Sequence, residues 1–268
     1  MKDADDQVTI SVERAGHVVV VRLARPPVNA VSRQLMAELD ACFAELGADR
    51  TVATVVLGAE GDRAFCAGID LKELSVGAPT LGPAQTIGET LDSGLPWRTV
   101  QHRIRYLPVP VIAAVDGPAI GAGFGLVGVA DLIVASERAS FGLTEINVGL
   151  LGGASKAIRM LGPHKARMLL FGGELIGARE MYRLGAVEEV VAPGRAVERA
   201  VEIGQVFAKK SPIALRLAKE SVLRIEGHWL EDAYRTEQDY TTRLSQYNDA
   251  SEARKAYLDG REPSWGFS

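Results

Sequence analysis

The stretch PVIAAVDGPAIGAGFGL, residues 110–126, joins an apolar segment to a run of glycines. The apolar segment predicts a short buried β-strand, and the small residues after the glycines predict a helix directly behind the turn. A strand that ends in such a turn leaves backbone amide hydrogens without partners, and a following helix adds the positive end of its dipole. The backbone of this turn is therefore a candidate site for a negatively charged oxygen.

A second stretch, EGDRAFCAGIDLKEL at residues 60–74, has the same design. It follows a short apolar strand, ATVVLGAE at 53–60, and bends at Gly68. A surface loop has no reason to carry Phe65 and Cys66, so a bend packed tightly against a neighbour is the better interpretation. Two bends that aim amide groups at one point stabilise a carbonyl oxygen as it becomes an enolate. The pair therefore predicts an oxyanion-binding site.

The glycine cluster has two other interpretations. Gly121, Gly123 and Gly125 also fit a tight strand–helix contact with no ligand at all. The order G-A-G-F-G approaches a dinucleotide-binding motif, but the third spacing is absent and no clear acidic residue ends the next strand about twenty positions on. We therefore set nucleotide binding aside, while spacing alone does not separate packing from oxyanion binding.

Glu145 stands in FGLTEINVGLLGG, residues 141–153, among apolar neighbours. We expect a carboxylate in such surroundings to be poorly hydrated, which suits a group that takes up and releases a proton near neutral pH. Its position shortly after the second glycine turn favours a catalytic acid/base. The alternative is a surface glutamate at the start of a helix, stabilised by the helix dipole.

The composition is that of a globular chain of 268 residues, with 47% hydrophobic residues and a formal net charge of −4. A weakly acidic chain gives no reason to expect a nucleic-acid surface. Cys42 and Cys66 are the only cysteines, and neither has a partner at metal-ligand spacing. Asp116 and Asp131 interrupt the longest apolar stretch, which is too short between them to cross a bilayer. We expect a cytoplasmic protein without a signal peptide that binds no metal, membrane or nucleic acid.

The order of strand and helix patterns predicts an α/β fold. Residues 7–24 alternate about a turn, which indicates a β-hairpin, and Ser32 is placed to cap the helix that follows. Helical patterns dominate the C-terminal part. We predict a core of ββα units over residues 1–195 and a helical region over 196–268. Residues 75–95, rich in Gly, Pro and Thr, predict a mobile loop or short helix that is a candidate lid.

Together these segments resemble the crotonase family, also called the enoyl-CoA hydratase/isomerase superfamily. The resemblance covers nearly the whole chain in the right order. It is carried by RPPVNAV (25–31), AFCAGIDLKEL (64–74), PVIAAVDGPAIGAGFGL (110–126), DLIVASERASFGLTEINVG (131–149) and AREMYRLGAVEEVV (178–191). It implies a spiral of ββα units, with a helical C-terminal region that covers the active site and builds homotrimers, often paired into hexamers. It also implies an enzyme that acts on acyl-CoA thioesters, as in fatty acid metabolism, with no separate cofactor because coenzyme A is part of the substrate.

The resemblance implies roles for residues of both bends. The amides of Ile69 and Ala122 would hold the thioester oxygen, and Glu145 would transfer the protons. Other residues would border the coenzyme A: Cys66, Ala67 and Gly68 beside the adenine, Val28 beside the pantetheine arm, and Lys72 and Arg25 facing the phosphates. For these two cations, a solvated surface position is an equal alternative.

One departure from the family pattern leaves the reaction open. Well-known hydratases of the family carry another glutamate in the helix after the second glycine turn, and that position is Gly125 here. The single Glu145 suits an enoyl-CoA hydratase, a lyase that acts on 2-enoyl-CoA, which is our leading prediction. It also suits a Δ3,Δ2-enoyl-CoA isomerase. A third hypothesis is an acyl-CoA-binding protein that has lost efficient catalysis.

Two further alternatives involve residues elsewhere in the chain. Glu89, Asp92 and His102 are candidates to replace the missing carboxylate, although spacing supports none of them above background. The segment FGLTEIN is similar to that of the hydroxycinnamoyl-CoA hydratase-lyases, which add a tyrosine near the C-terminal helix. Thr242 takes the corresponding position here, so we do not expect cleavage of that type.

Overall fold

The computed structural model of the chain describes residues 8–70, 73, 95–148, 152–226, 247–249, 252, 256 and 259–265. Several sequence predictions fall outside these residues. They are the candidate lid up to residue 94, the phosphate-facing Lys72, the acid candidates Glu89 and Asp92, and Thr242.

A six-stranded sheet forms the centre of the fold. Its strands, in spatial order, are β1 (Ile10–Ala15), β2 (Val18–Leu23), β3 (Thr54–Ala59), β4 (Val111–Val115), β6 (Leu132–Ser136) and β9 (Glu189–Val191). The first two strands form the predicted antiparallel hairpin, and every later pair in the sheet is parallel. Parallel pairing requires long crossover connections, which is why helices alternate with these strands.

Three shorter strands, β5 (Pro118–Ile120), β7 (Ser140–Gly142) and β8 (Leu175–Gly177), form a second sheet. β5 pairs in parallel with β7, which pairs antiparallel with β8. Asp116 and Gly117 alone separate β4 from β5, so the chain passes directly from one sheet into the other. This passage brings the glycine run to the end of the second sheet.

In the described part of the chain, seven α-helices connect and cover the strands. They are α1 (Arg33–Ala48), α2 (Leu95–Arg105), α3 (Ala122–Gly128), α4 (Ala154–Gly172), α5 (Ala178–Arg183), α6 (Ala196–Ala208) and α7 (Pro212–Ile225). Ser32 caps α1 as predicted, because its hydroxyl accepts a hydrogen bond from the Leu35 amide. α3 is the helix predicted behind the glycine turn, but it begins at Ala122, within the glycine run and not after it. None of the described helices is long and apolar enough to span a membrane.

The central sheet is buried on both faces, as β2 shows. Val19 and Val21 belong to the larger apolar core, whereas Val18 and Val20 belong to a smaller core on the opposite face. A strand buried on both sides carries a continuous apolar run, as in VVVV. The predicted α/β architecture is confirmed. Helix α6 contributes Ala196 and Ala200 to the smaller core, and so it packs on the sheet; the domain boundary at residue 195 stays a prediction.

Candidate active site

The first bend is attached to the second sheet through Cys66. The Cys66 amide donates a hydrogen bond to the Pro118 carbonyl at 3.1 Å, and the Cys66 carbonyl accepts one from the Ile120 amide at 2.9 Å. These two bonds form a parallel bridge between Cys66 and Ala119. The bend within residues 60–74 therefore runs alongside β5, directly before the glycine turn.

The same bend also pairs with Val31, which fixes the direction of one amide group. The Val31 amide donates to the Gly68 carbonyl at 2.8 Å, and the Asp70 amide donates to the Val31 carbonyl at 2.9 Å. The N–H of Ile69, between them, points away from Val31, because successive peptide groups of an extended strand alternate in direction. A Cβ on Gly68 would lie 3.7 Å from the Ile120 carbonyl oxygen. The strand that leads into the glycine turn therefore adjoins this bend.

Gly123 sets the separation of the two bends. A Cβ added to this residue would lie 2.2 Å from the Cys66 carbonyl oxygen and 2.9 Å from the Cys66 Cβ. No side chain fits there, so only glycine allows the first turn of α3 to pack directly on the backbone of the first bend. This is the tight packing that the glycine spacing suggested. It also brings the neighbouring Ala122 amide close to the first bend.

The amides of Ile69 and Ala122 have no hydrogen-bond acceptor among the residues that the structure describes. Both residues are half-buried. Backbone amides that are withdrawn from water are almost always paired in native proteins. The Ala122 amide opens α3, where no intrahelical acceptor exists, and the Ile69 amide lies in the first bend, so both are candidates to bind an external acceptor.

Glu145 lies against the same glycine turn. It begins a short 3-10 helix, Glu145–Val148, that follows β7. A Cβ on Gly121 would lie 3.0 Å from Glu145 Oε1, and one on Gly152 would lie 3.5 Å from it. Gly121 also has a φ of 56°, which disfavours any residue with a side chain. The carboxyl group thus rests on the residue that directly precedes Ala122.

One oxygen of this carboxyl group is unsatisfied. Glu145 Oε2 is buried and has no hydrogen-bond partner among the described residues. Leaving a buried carboxyl oxygen without a donor costs free energy, so such a group needs an explanation in a native protein. A carboxyl group that keeps an oxygen free for a substrate or a water molecule provides one.

The residues assigned to the adenine and the pantetheine arm lie together. The Ala67 amide donates to the Val28 carbonyl at 3.0 Å. Ala67 is exposed, whereas Cys66 and Gly68 are buried, so one residue of the bend faces the surface. Burial raises the pKa of the Cys66 thiol to about 12. This cysteine therefore remains a neutral thiol and is unsuited to act as a nucleophile.

Arg25 is bound to the first bend itself. Its guanidinium donates to Asp70 Oδ2 at 2.7 Å and to the Ala30 carbonyl at 3.1 Å. These bonds tie the segment before α1 to the bend, a role that the sequence did not suggest. Contact of Arg25 with phosphate stays a prediction, as does that of Lys72, which lies outside the described residues.

Gly125 faces a helix that sequence analysis did not connect with the site. A Cβ on Gly125 would lie 3.4 Å from Trp97 Cζ2 and 3.8 Å from Gln101 Oε1, both on α2. The position of the missing glutamate is therefore next to an indole ring and a carboxamide. In the sequence, the i, i+4 spacing of Trp97 and Gln101 indicates that the two side chains share one helix face. It does not indicate that this face lies against Gly125. The candidate His102 stacks on Tyr106, with ring centroids 4.4 Å apart.

Residues 13–267 match the family model described as enoyl-CoA hydratase/isomerase. The chain therefore belongs to the enoyl-CoA hydratase/isomerase family, and it is an enzyme of that family. The resemblance to crotonases is confirmed. The fold agrees as well: an enoyl-CoA hydratase from Bacillus anthracis, known from a crystal structure, superposes with a TM-score of 0.88 at 31% sequence identity, covering 97% of this chain and 100% of that one. The predicted crotonase-like fold is thereby confirmed.

Curated relatives of similar length have more than one activity. The short-chain-enoyl-CoA hydratase of Clostridium acetobutylicum is 30% identical over 257 residues, which are 94% of this chain and 95% of the relative. The (7aS)-7a-methyl-1,5-dioxo-2,3,5,6,7,7a-hexahydro-1H-indene-carboxyl-CoA hydrolase of Mycobacterium tuberculosis is 36% identical over 241 residues, which are 90% of this chain and 94% of the relative. The family is thus established, and the reaction has to be argued from the site.

Proposed function

We propose that this chain is an enoyl-CoA hydratase-type enzyme that adds water to a 2-enoyl-CoA thioester, or removes it in the reverse direction. The observation that supports the proposal is a set of three unsatisfied groups in the first bend, the glycine turn and the carboxyl group beside that turn. The amides of Ile69 and Ala122 have no acceptor among the described residues, and the buried Oε2 of Glu145 has no donor there. A thioester oxygen and a water molecule satisfy all three.

In the proposed reaction, the thioester oxygen accepts hydrogen bonds from the Ile69 and Ala122 amides. Glu145 takes a proton from water while the water oxygen bonds to C3 of the acyl chain. The electron pair of the C2–C3 double bond moves onto the thioester oxygen and forms an enolate. Glu145 then gives its proton to C2, and the enolate collapses to the 3-hydroxyacyl thioester. Each backbone donor of this kind contributes about 3–4 kcal/mol to lowering the barrier.

The coenzyme A is proposed to lie along the first bend, with its pantetheine arm beside Val28 and its adenine beside Cys66, Ala67 and Gly68. The exposed position of Ala67, hydrogen-bonded to Val28, supports this placement. Binding of this kind holds a part of the substrate that is common to all acyl-CoA thioesters, so it needs no cofactor beyond the substrate itself.

Isomerisation of a 3-enoyl-CoA is the second candidate reaction, and the lone carboxyl group favours it. Gly125 supplies no side chain where a second glutamate would stand, and Glu145 alone suffices to remove a proton from C2 and return it to C4. The enolate would rest on the same two amides. In isomerisation a proton moves from C2 to C4 and no water is added, whereas hydration adds the oxygen of water to C3 and a proton to C2.

The assembly into homotrimers or hexamers is likewise proposed. Large apolar side chains are exposed on neighbouring parts of the chain: Met168 and Phe171 on α4 and Leu175 on β8 are 62%, 68% and 50% exposed. Contiguous exposed apolar patches mark interaction surfaces on soluble proteins, and contact between subunits would cover these side chains.

The proposal is tested with crotonyl-CoA and the purified protein. Hydration removes the absorbance of the enoyl thioester, and we expect Glu145→Gln to slow this loss about 10²- to 10⁴-fold, as for the removal of a general acid/base. Glu188→Gln, a change to an exposed glutamate between α5 and β9, is the matched control and should leave the rate unchanged.

Three outcomes would replace the hydratase with another function. Growth of enoyl absorbance from a 3-enoyl-CoA, without hydration of crotonyl-CoA, would identify an isomerase. Equal rates for Glu145→Gln and the native chain would remove Glu145 from the mechanism. Tight binding of CoA thioesters without either reaction would indicate an acyl-CoA-binding protein.

A further inference from the structure

A cleft of about 300 Å³ lies between α2, α3 and α4, and we refer to it as the basic cleft. Its walls include the cationic side chains of Arg98, Arg105, Lys156 and Arg159 and the hydroxyl groups of Tyr106 and Ser155. Among the described residues that line it there is no carboxylate. Positive charge therefore borders the basic cleft, although most of its wall is apolar.

Nearby carboxylates neutralise only part of this charge. Glu226 pairs with both Arg105 and Arg159, the latter at 2.7 Å. Within the described residues, neither Arg98 nor Lys156 has an ion-pair partner. An excess of positive charge thus remains at the mouth and wall of the basic cleft.

Because the cations other than Arg98 are partly buried, the excess of positive charge costs free energy when no anion is bound. Burial lowers the pKa of Lys156, with no carboxylate to offset the effect. Burial also lowers the pKa of Arg159, and the neighbouring Arg105 guanidinium lowers it further, while Asp131 offsets part of this effect. The side chains of Arg105 and Arg159 are only 17% and 29% exposed. A bound anion would relieve both the lost hydration and the repulsion between these cations.

Three glycines on one side of the α3 segment lie in a row from Glu145 to the basic cleft, and each is covered by a side chain. Gly121 rests on Glu145, and Gly125 faces Trp97 and Gln101. Gly128 packs on the stem of Lys156, whose Cβ lies 2.5 Å from the place that a Cβ on Gly128 would take. Positions 121, 125 and 128 share one side of a helix. Gln101 also lines the basic cleft, so this one side chain borders both the position of Gly125 and the basic cleft.

From this arrangement we propose that the basic cleft binds a carboxylate at the far end of the acyl chain, so that the preferred substrate is an ω-carboxyacyl-CoA. The inference rests on the proposed function, because that function places the thioester at Ala122. From Ala122 to Gly128 the helix rises about 9 Å. Since three chain bonds advance about 3.8 Å, an extended chain of about seven single bonds covers this distance.

The test compares two saturated thioesters that cannot be hydrated. Suberyl-CoA ends in a carboxylate, and octanoyl-CoA is the same chain ending in a methyl group. We expect the native protein to bind suberyl-CoA at least about tenfold more tightly by calorimetry, as for a charge-assisted hydrogen bond in a partly buried site. Because both ligands carry the same coenzyme A, a cleft that binds only CoA phosphates would give equal affinities.

Substitutions in the basic cleft test whether the preference for suberyl-CoA arises there. Lys156→Met keeps the stem that packs on Gly128 and removes the charge, and we expect it to abolish most of the difference between the two ligands. Arg98→Met, at an exposed position, is a second variant with the same expected direction. Lys165→Met, on the same helix as Lys156 but paired with Glu180 at 3.8 Å, is the matched control and should keep the preference. Equal binding by the native protein, or a preference that survives both cleft variants, would overturn the proposal.

The two proposals fail in different ways. A preference for suberyl-CoA in a protein that does not hydrate enoyl thioesters would contradict the hydratase and keep the carboxylate site. Hydration of crotonyl-CoA without any preference for suberyl-CoA would keep the hydratase and contradict the carboxylate site.

Discussion

Two glycines set how closely the proposed catalytic groups approach one another. Gly121 leaves room for the Glu145 carboxyl group, and Gly123 lets α3 touch the Cys66 backbone. A side chain at Gly121 would displace the Glu145 carboxyl group, and one at Gly123 would displace the Cys66 backbone. The separation between the Ile69 and Ala122 amides is therefore controlled by residues that take no part in the chemistry.

Gly123→Ala adds one methyl group and so tests whether Gly123 sets the separation of the two bends. Its Cβ would lie 2.2 Å from the Cys66 carbonyl oxygen, so the two bends have to move apart. We expect a loss of about 1–3 kcal/mol in the free energy of unfolding. We also expect kcat/KM to fall about 10²-fold or more, since small displacements of reacting groups are costly.

Gly177→Ala is the control for this substitution. Gly177 has a φ of −78°, and a Cβ there would meet nothing within 4 Å. The stability and activity of the Gly177→Ala variant should stay near those of the native chain. A Gly123→Ala variant that behaved like Gly177→Ala would show that the bends need no such close contact.

Among the secondary-structure elements, α7 is bound to the central sheet by one buried cation. Lys219 Nζ donates to Asp131 Oδ2 at 2.7 Å and to the Val109 carbonyl at 3.0 Å. Asp131 Oδ2 also accepts a hydrogen bond from the Val111 amide at 2.7 Å. This network joins α7 to the start of β4 and to the residue before β6.

Lys219→Met is expected to destabilise the fold far more than a surface substitution. The side chain of Lys219 is 4% exposed, and its loss leaves Asp131 and the Val109 carbonyl without their partner. Breaking a buried pair in this way costs about 3–5 kcal/mol, measured by urea unfolding. Lys210→Met, which removes the same charge from an exposed position, should cost little. Equal losses for the two variants would mean that the network does not hold α7.

Elements with local sequence signals were predictable, and contacts between distant segments were not. The hairpin, the Ser32 cap of α1 and the strand–turn–helix unit of residues 110–126 all follow from short patterns. The roles of Trp97 and Gln101 depend on packing against Gly125, for which no local pattern exists. The bond between Lys219 and Asp131 joins residues 88 positions apart. Only the fold brings such residues together.

In the whole molecule, the proposed site is assembled where the two sheets meet. Ile69, Ala122 and Glu145 come from three separate segments, and the passage of the chain from β4 into β5 places the glycine turn against the first bend. The family resemblance predicts roles for these three residues from their sequence motifs. It contains no sign of the contact between Gly123 and Cys66 that sets their spacing, or of the cation-lined cleft at the other end of α3.

The most direct measurement is a crystal structure of the protein with butyryl-CoA, a saturated thioester that cannot be hydrated. We predict a thioester oxygen about 2.7–3.1 Å from the amide nitrogens of both Ile69 and Ala122, the range of an oxyanion-binding site. The Glu145 carboxyl group should then lie against C2 and C3 of the acyl chain. A thioester oxygen that contacts neither amide, or an acyl chain that lies away from Glu145, would contradict the proposed mechanism.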